Sequence, residues 1–380
     1  MKDIKLAVLG GSFLQIDFVE TALSLGIDLH VIDGNPSCYM SQLKTIKFQP
    51  FDFSKQKLLK DYCIKNEINF VYAPCNEVGN LISSRLASIL GFNYNSEDVV
   101  NITLNKSLQR KKAANCKYLY SPRSILFRGN IQEVEKFVNY PMVVKPTSSS
   151  AGRGITGVNN RKDLINALRD AEQYCQQKGQ ILVEEYIGGD QISIETVSAN
   201  GVHSIVGITK EIVGPEPLFI ERSHYMNQGV HEKFLPIVEN GVKELLDAID
   251  IQYGPCHIEM KVEGSRVSLI EIASRSGGLR DRLMKLAGYS DFNKIILSAY
   301  LNNQVDHNDL HLPSKHSLVN ILTKVDDLNC VPLGKRDKTL HSLYFNERGP
   351  VYNPQNIMDA YGYAYFTSEK SLNIYSLENY

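Results

Sequence analysis

Apolar and charged positions alternate most regularly over residues 254 to 278, GPCHIEMKVEGSRVSLIEIASRSGG, which predicts two strands joined by a tight turn and closed by a glycine pair. His257, Glu259 and Lys261 share one face of the first strand, and Ile258, Met260 and Val262 the other. In the second strand Val267, Leu269, Glu271, Ala273 and Arg275 share a parity, with Ile270 and Ile272 pointing the opposite way. A three-residue turn at Gly264, Ser265 and Arg266 sets Glu259 directly across from Glu271, with Cα atoms about 4.5 to 5.5 Å apart. Like charges so placed cost at most about 1 kcal/mol, so an exposed structural pair is tolerable. Glu271, however, is bracketed by Ile270 and Ile272, which predicts a half-buried strand. A Mg²⁺ ion, which takes carboxylate oxygens together with substrate phosphates, would remove the repulsion. Arg275, just ahead of Ser276-Gly277-Gly278, adds a fixed positive charge beside that metal, a combination that suits phosphoryl transfer.

The amino-terminal pattern is of another kind. IKLAVL at 4 to 9 is a buried-type strand, followed by Gly10-Gly11-Ser12, a helical stretch to Leu25 and a second strand that reaches Asp33. This is the opening βαβ unit of a doubly wound sheet. A third strand, INFVYAP, precedes a helix from about Asn80 to Leu90, so a Rossmann-like domain is expected over residues 1 to 95. A glycine turn and a following acid suggest a nicotinamide-dependent oxidoreductase as a rival function, but GGSFLQ lacks the spaced glycines that admit a pyrophosphate.

Beyond it lies a helical, lysine-rich passage that stops at Pro122. Arg110-Lys111-Lys112 reads as a solvated helix face, whereas Lys106, at the helix start, is placed to reach a phosphate. In YPMVVKPTSSSAGRGI, Lys145 ends a strand and Ser148, Ser149, Ser150, Gly152 and Gly154 follow, a small-residue loop whose amides can wrap phosphate oxygens. The lysine precedes the loop, so this is not a P-loop. ILVEEYIGGDQISIETV at 181 to 197 gives a strand, a polar break and a second strand. Its crossing at Glu185-Tyr186-Ile187 offers backbone groups to a purine edge, with Glu184 accepting from an exocyclic amine and Asp190 or Gln191 available to a ribose. Glu221 and His224 fall in a Gly- and Pro-rich stretch read as loop. Residues 315 to 380 alternate short apolar runs with turn signals, and a small β-rich cap is expected there.

Composition narrows the partners. In a chain of 380 residues, 41 basic against 42 acidic side chains leave a net charge of −1, and no global field favours nucleic acid or membrane. Seven cysteines form no CxxC pair, as expected of reduced thiols in the cytoplasm, and no apolar run suggests a signal peptide or a membrane span.

The series of Lys106, Lys145 with its Ser/Gly loop, EEYIGG, paired glutamates and SRSGG resembles the ATP-grasp carboxylate-amine ligases over nearly the whole chain. The resemblance implies an α/β ATP-grasp fold behind a Rossmann-like (pre-ATP-grasp) domain. The catalytic core would span 96 to 314, with a nucleotide lobe at about 105 to 183 and a metal and substrate lobe at about 184 to 314. It implies an ADP-forming enzyme that joins a small-molecule carboxylate to an amine through an acyl phosphate, using ATP and Mg²⁺ or Mn²⁺. A nucleotide-binding protein without chemistry is the alternative, and assembly into homo-oligomers is compatible with either. Lys106 and Lys145 would hold the α and β phosphates, residues 148 to 154 would close over the nucleotide, and Glu184 to Ile187 would hold adenine. Glu259 and Glu271 would bind the metal, and Arg275 would steady the transferring phosphoryl group. Amino-acid (dipeptide-forming) ligases are the subgroup it resembles most, and there FIERSH at 219 to 224 would bring Glu221 and His224 to the amino-acid substrate. Three positions depart from the family pattern: Ala273 stands where an asparagine ligand is usual, Gln191 where a ribose-binding glutamate is usual, and Asn105 where aspartate is common.

Overall fold

A computed structural model describes residues 4–175, 180–214, 217–227, 234–305, 310, 313–347, 349–372 and 377. Its first sheet is parallel: β1 (Lys5–Leu9), β2 (Asp28–Ile32), β3 (Lys47–Gln49) and β4 (Phe70–Tyr72) stand in the order β3-β2-β1-β4. Four of the five residues of β1 are buried, as expected of a strand covered on both faces. The second sheet is antiparallel, with β5 (Ser124–Leu126), β6 (Met142–Pro146), β7 (Thr156–Val158) and β8 (Ile181–Glu185) in the order β5-β8-β6-β7. Helix Arg161–Glu172 packs Leu164, Ala167, Leu168 and Ala171 onto it.

The third sheet has eight strands: β9 (Asp190–Ala199), β10 (Val202–Val213), β11 (Glu221–Met226), β12 (Gly254–Glu263), β13 (Arg266–Ala273), β14 (His316–Leu322), β15 (Leu340–Phe345) and β16 (Gly362–Ser368). Their order, β13-β12-β9-β10-β11-β14-β16-β15, makes the β-rich carboxyl-terminal part continuous with the central sheet through β14 beside β11. Helix Leu235–Ile249 covers one face with Val238, Val242, Leu245, Leu246 and Ile249. The opposite face packs against helix Phe292–Asn302 and the parallel sheet in one apolar cluster. Among the described residues no helix is long and apolar enough to cross a membrane.

The hairpin of β12 and β13 differs from its expected form. Glu263 pairs with Arg266, so the turn holds two residues, Gly264 and Ser265, rather than three. That register alone would move Glu271 out of line with Glu259. A bulge restores it: Met260 pairs with Leu269 and Glu259 with Glu271, leaving Ile270 as the extra residue. The expected parity is broken there. Val267, Leu269 and Ile272 all join the apolar cluster of Ile258, Met260 and Val262, while Ile270 and Glu271 both face a cavity on the other side.

Candidate active site

That cavity measures about 530 Å³ and lies where the three sheets meet. Its walls include Gly10 to Ser12, Asp33 and Cys75 to Glu77 from the parallel sheet's loops, Lys145 and Ser150 to Arg153 from the small antiparallel sheet, and Glu259, Glu271 and Arg275 from the large one. Ile357, Met358 and Tyr363 close it from the carboxyl-terminal side.

Helix Lys106–Ala113 fixes the first lysine. Asn105 caps it, its side chain accepting from the amides of Ser107 and Leu108 at 3.0 and 3.3 Å, so asparagine performs the cap as aspartate would. Three side chains of this helix then dock along β13. Lys106 Nζ lies 3.0 Å from Glu271 Oε1 and donates to the Ser149 carbonyl at 2.7 Å. The Gln109 amide meets both backbone groups of Ile272, at 3.0 and 3.2 Å. Arg110 Nη2 donates to the carbonyl of the bulged Ile270 at 2.6 Å.

Arg110 is 4 % exposed, which overturns its reading as part of a solvated face. Its Nε is 2.5 Å from Glu184 Oε1, and Lys145 Nζ contacts Glu184 Oε2. Glu184 is therefore a buried anion held by two cations. Burial works against its charge, but Arg110 and Lys145 outweigh it and keep the carboxyl below its ordinary range. Burial pulls Lys145 down to about 8, with the Glu184 charge opposing. The expectation that the Glu184 carboxylate reaches an exocyclic amine meets this competition, because both its oxygens already accept charge-assisted hydrogen bonds.

Glu185 turns to the segment that leads into β5, accepting from Tyr120 Oη, from the Arg123 amide at 2.9 Å and from Arg123 Nε at 3.2 Å. The Tyr186 amide donates to the Pro141 carbonyl at 3.1 Å, so it too is engaged within the protein. Both residues, with the largely buried Ile187, still line the cavity. Gln191 also lines it and donates to Glu211 Oε2 at 2.7 Å. Asp190 does not: it is exposed and lies 3.3 Å from Lys210. In the Ser/Gly loop, Ser150, Ala151, Gly152 and Arg153 face the cavity; Ser148, Ser149 and Gly154 do not line it. Left-handed backbone at Ala151, Gly152 and Gly154 (φ +60°, +71° and +72°) folds the loop back on itself.

On the face of the paired glutamates, sequence reasoning placed His257 on the right side of β12 but missed its partner. His257 Nδ1 is 2.5 Å from Glu195 Oε1, and Nε2 is 3.3 Å from Glu259 Oε1. Burial alone would pull the imidazole down; the Glu195 charge and both hydrogen bonds push it up to about 10. Burial likewise raises the Glu259 carboxyl, yet His257, with Arg280 and Lys106, holds it at about 2. Gly277 sits against this pair. A Cβ there would come within 2.6 Å of Glu195 Oε1 and of His257 Nδ1, and the Gly277 amide donates to Glu195 Oε2 at 3.1 Å.

Glu221 and His224 lie on β11, not in a loop; Pro215 and Glu216 of the stretch that suggested one are outside the described residues. Glu221 lines the cavity, whereas His224 is fully buried behind it, 2.7 Å from Glu221 through Nε2. His224 Nδ1 accepts from Arg280 Nη1 at 2.9 Å, which fixes Nε2 as the protonated nitrogen. Glu211, Glu221 and His224 bring ligand atoms within 4.8 Å of one another, but the Arg280 guanidinium, paired with Glu211 and 3.8 Å from Glu221, already supplies the positive charge there.

Arg275 reaches across to the amino-terminal domain. Its Nε and Nη2 donate to Glu77 Oε1 at 3.0 and 2.6 Å, and Nη1 to the Ser276 carbonyl at 3.0 Å. The glycine turn after β1 is spent on the fold: the amides of Gly10, Gly11 and Ser12 donate to Ile32 O, Asp33 Oδ2 and Gln15 Oε1 at 2.9, 2.7 and 3.0 Å. A Cβ on Gly10 would lie 2.7 Å from Gln15 Nε2. Fold geometry therefore accounts for these glycines.

Known proteins support the same architecture. Residues 138–281 match the family model of the ATP-grasp domain. The chain is similar to a D-alanine–D-alanine ligase of Flavobacterium psychrophilum, 26% identical over 208 residues that cover 52% of this chain and 59% of the relative. It is also similar to a formate-dependent phosphoribosylglycinamide formyltransferase of Methanocaldococcus jannaschii, 25% identical over 72% of this chain and 70% of the relative. The first of these relatives is thus matched over less than two thirds of its length. Among solved structures, an L-amino acid ligase from Bacillus licheniformis superposes with a TM-score of 0.80 at 18% identity, covering 98% of this chain and 95% of that one. The N5-carboxyaminoimidazole synthetase from Staphylococcus aureus complexed with ADP gives 0.74 at 15% identity over 98% and 95%. Residues 138–281 match the ATP-grasp domain, and the chain shares the fold of the solved L-amino acid ligase over 98% of its length.

Proposed function

We propose that the protein is an ATP-dependent carboxylate-amine ligase that forms an amide or peptide bond through an acyl phosphate, with an amino acid as a substrate. The observation that carries this reading is the convergence on one cavity of Lys106, Lys145, the carboxylate pair Glu259 and Glu271, and Arg275. A carboxylate is a poor electrophile, so the γ-phosphoryl of ATP is first moved onto it, and an amine then expels phosphate. Lys106, Lys145 and the loop at Ser150 to Arg153 bind and orient the triphosphate, Arg275 steadies the transferring group, and the walls at Met358 and Tyr363 keep water from the intermediate.

Glu259 and Glu271 fit a Mg²⁺ ion, for which Mn²⁺ can substitute. Each engages a protein cation through Oε1, to His257 and Lys106 respectively, and each keeps part of its side chain exposed on the cavity wall. An all-oxygen pair open to the cavity suits a hard cation, which when bound neutralises charge on the phosphates. Ala273 adds no ligand atom.

The choice of an amino acid is supported by the amino-terminal wall. Its turn amides are all engaged and its charged groups are carboxylates, Asp33 and the Arg275-paired Glu77, so this wall offers no donor to a phosphate or pyrophosphate and leaves Asp33 to face an ammonium group. The same fact disfavours a nicotinamide dinucleotide. The deciding experiment is ADP release with MgATP and a panel of amino acids, with hydroxylamine as the trapping amine. We expect carboxylate-dependent hydroxamate and ADP. Tight nucleotide binding without turnover would leave a binding protein, and AMP with pyrophosphate would mean an adenylate instead.

A further inference from the structure

The segment 274 to 278, which carries Arg275, is gripped by the amino-terminal domain at almost every residue. Asn80 Nδ2 donates to Ser274 Oγ at 3.0 Å, Tyr72 Oη to Ser276 Oγ at 3.3 Å, and Cys75 Sγ to the Gly277 carbonyl at 3.4 Å. Central to this seam is the pair Glu77 and Arg275. Glu77 is the first residue of helix Glu77–Leu90, whose cap Asn76 accepts from the Gly79 amide at 2.9 Å. The helix end therefore holds the carboxylate rigidly, and a negative charge is favourable there. One oxygen, Oε1, takes two donors of the guanidinium, and the Ser276 carbonyl takes a third. With three N–H groups so engaged, the plane and rotation of Arg275 are fixed.

We propose that Glu77 is a positioning residue for the ligase reaction: it orients Arg275 so that the remaining N–H groups of the guanidinium face the reacting carboxylate and phosphoryl oxygens. The inference rests on the ligase reading. It adds that the amino-terminal domain, which contributes no group to phosphate binding, is required for the chemical step. Both side chains line the cavity and are only partly exposed, Glu77 at 27% and Arg275 at 15%, so neither is an ordinary surface ion pair. The burial that opposes the arginine's charge is outweighed by Glu77, which keeps Arg275 firmly protonated.

Glu77→Gln retains the shape and an acceptor oxygen but removes the charge. Displacing a group at the reacting centre costs on the order of tenfold to a hundredfold, so we expect kcat for hydroxamate formation to fall by about that factor. The KM for ATP and the stabilisation of the protein by MgADP should stay within about twofold of wild type, the split expected of a contact realised in the chemical step. Combined with Arg275→Lys, which keeps the charge but loses the planar fork, Glu77→Gln should add less than about twofold, because its target is gone. Glu77→Asp, which withdraws the charge by one methylene, should also lose kcat with nucleotide binding retained, and it serves where the Gln variant melts early. Wild-type kcat in Glu77→Gln or Glu77→Asp, or losses that multiply in the double variant, would overturn the assignment. If the wild-type protein itself yields no hydroxamate, the ligase reading fails and not this contact alone.

Discussion

Two groups of charges face each other across the cavity, and they are built on different terms. Beside the Ser/Gly loop, Glu184 is enclosed by Arg110 and Lys145, all three being at most 4 % exposed, so its charge is more than matched within the protein and one positive charge is left over. Across from it, Glu259 and Glu271 contact His257 and Lys106 and keep side-chain exposures of 20% and 25% on the cavity wall. The first group is closed apart from its surplus positive charge, which Lys145 carries to the cavity wall; the second is open to the cavity. A buried pair and an open pair should thus fail differently when one partner is removed.

The largest effect is expected at Arg110. Replacing it by methionine leaves Glu184 with a single cation and takes the Arg110 donor from the Ile270 carbonyl, which costs about 3 to 5 kcal/mol of unfolding free energy. Urea denaturation measures it, and a loss below about 1 kcal/mol would show that Lys145 alone balances the buried carboxylate. Glu271→Gln should invert the pattern. Stability changes by no more than about 1 kcal/mol, since relief of the repulsion across the hairpin offsets the weakened contact with Lys106, while ADP release falls at least about a hundredfold. Retained turnover at low Mg²⁺ would remove Glu271 from the metal site.

The smallest effect sharpens the closed side by pH. Lys145 titrates at about 8 in the folded protein against 10.5 ordinarily. The unfolded chain binds this proton more tightly, so this group's contribution to folding stability rises as pH climbs from 8 to 10.5. Nucleotide affinity runs the other way. Phosphates need the charged lysine, so affinity is constant below about 8 and weakens towards tenfold per pH unit above it. Lys145→Arg should abolish that slope in titrations with MgADP, and an unchanged slope would assign it to another group.

Much of the open side was legible in the sequence, because it depends on contacts between residues close along the chain. Glu259 and Glu271 belong to one hairpin, and their opposition could be deduced even though the turn is shorter and the bulge at Ile270 makes up the difference. Lys106 could be singled out by its place at a helix start. The closed side was hidden. A run of three basic residues cannot tell which of them turns inward, and what turns Arg110 in is a carboxylate 74 residues away. Glu195 lies 62 residues from His257, and Glu77 lies 198 from Arg275, so no local spacing announces either pair. Glu221 and His224 were misplaced in a loop because the glycine and prolines at 214 to 217 dominated the reading, although β11 begins only at Glu221.

The bulge at Ile270 also determines how this hairpin can change length over evolutionary time. With the chain between the two carboxylates at its present length, a two-residue turn needs the one extra residue at Ile270 to bring Glu271 opposite Glu259, whereas a three-residue turn would make the same pair in a regular ladder. Homologous hairpins that keep both carboxylates at this spacing should therefore take one of two forms, an odd turn without a bulge or an even turn with one. Only the even form presents a spare carbonyl for a buried arginine at the position of Arg110.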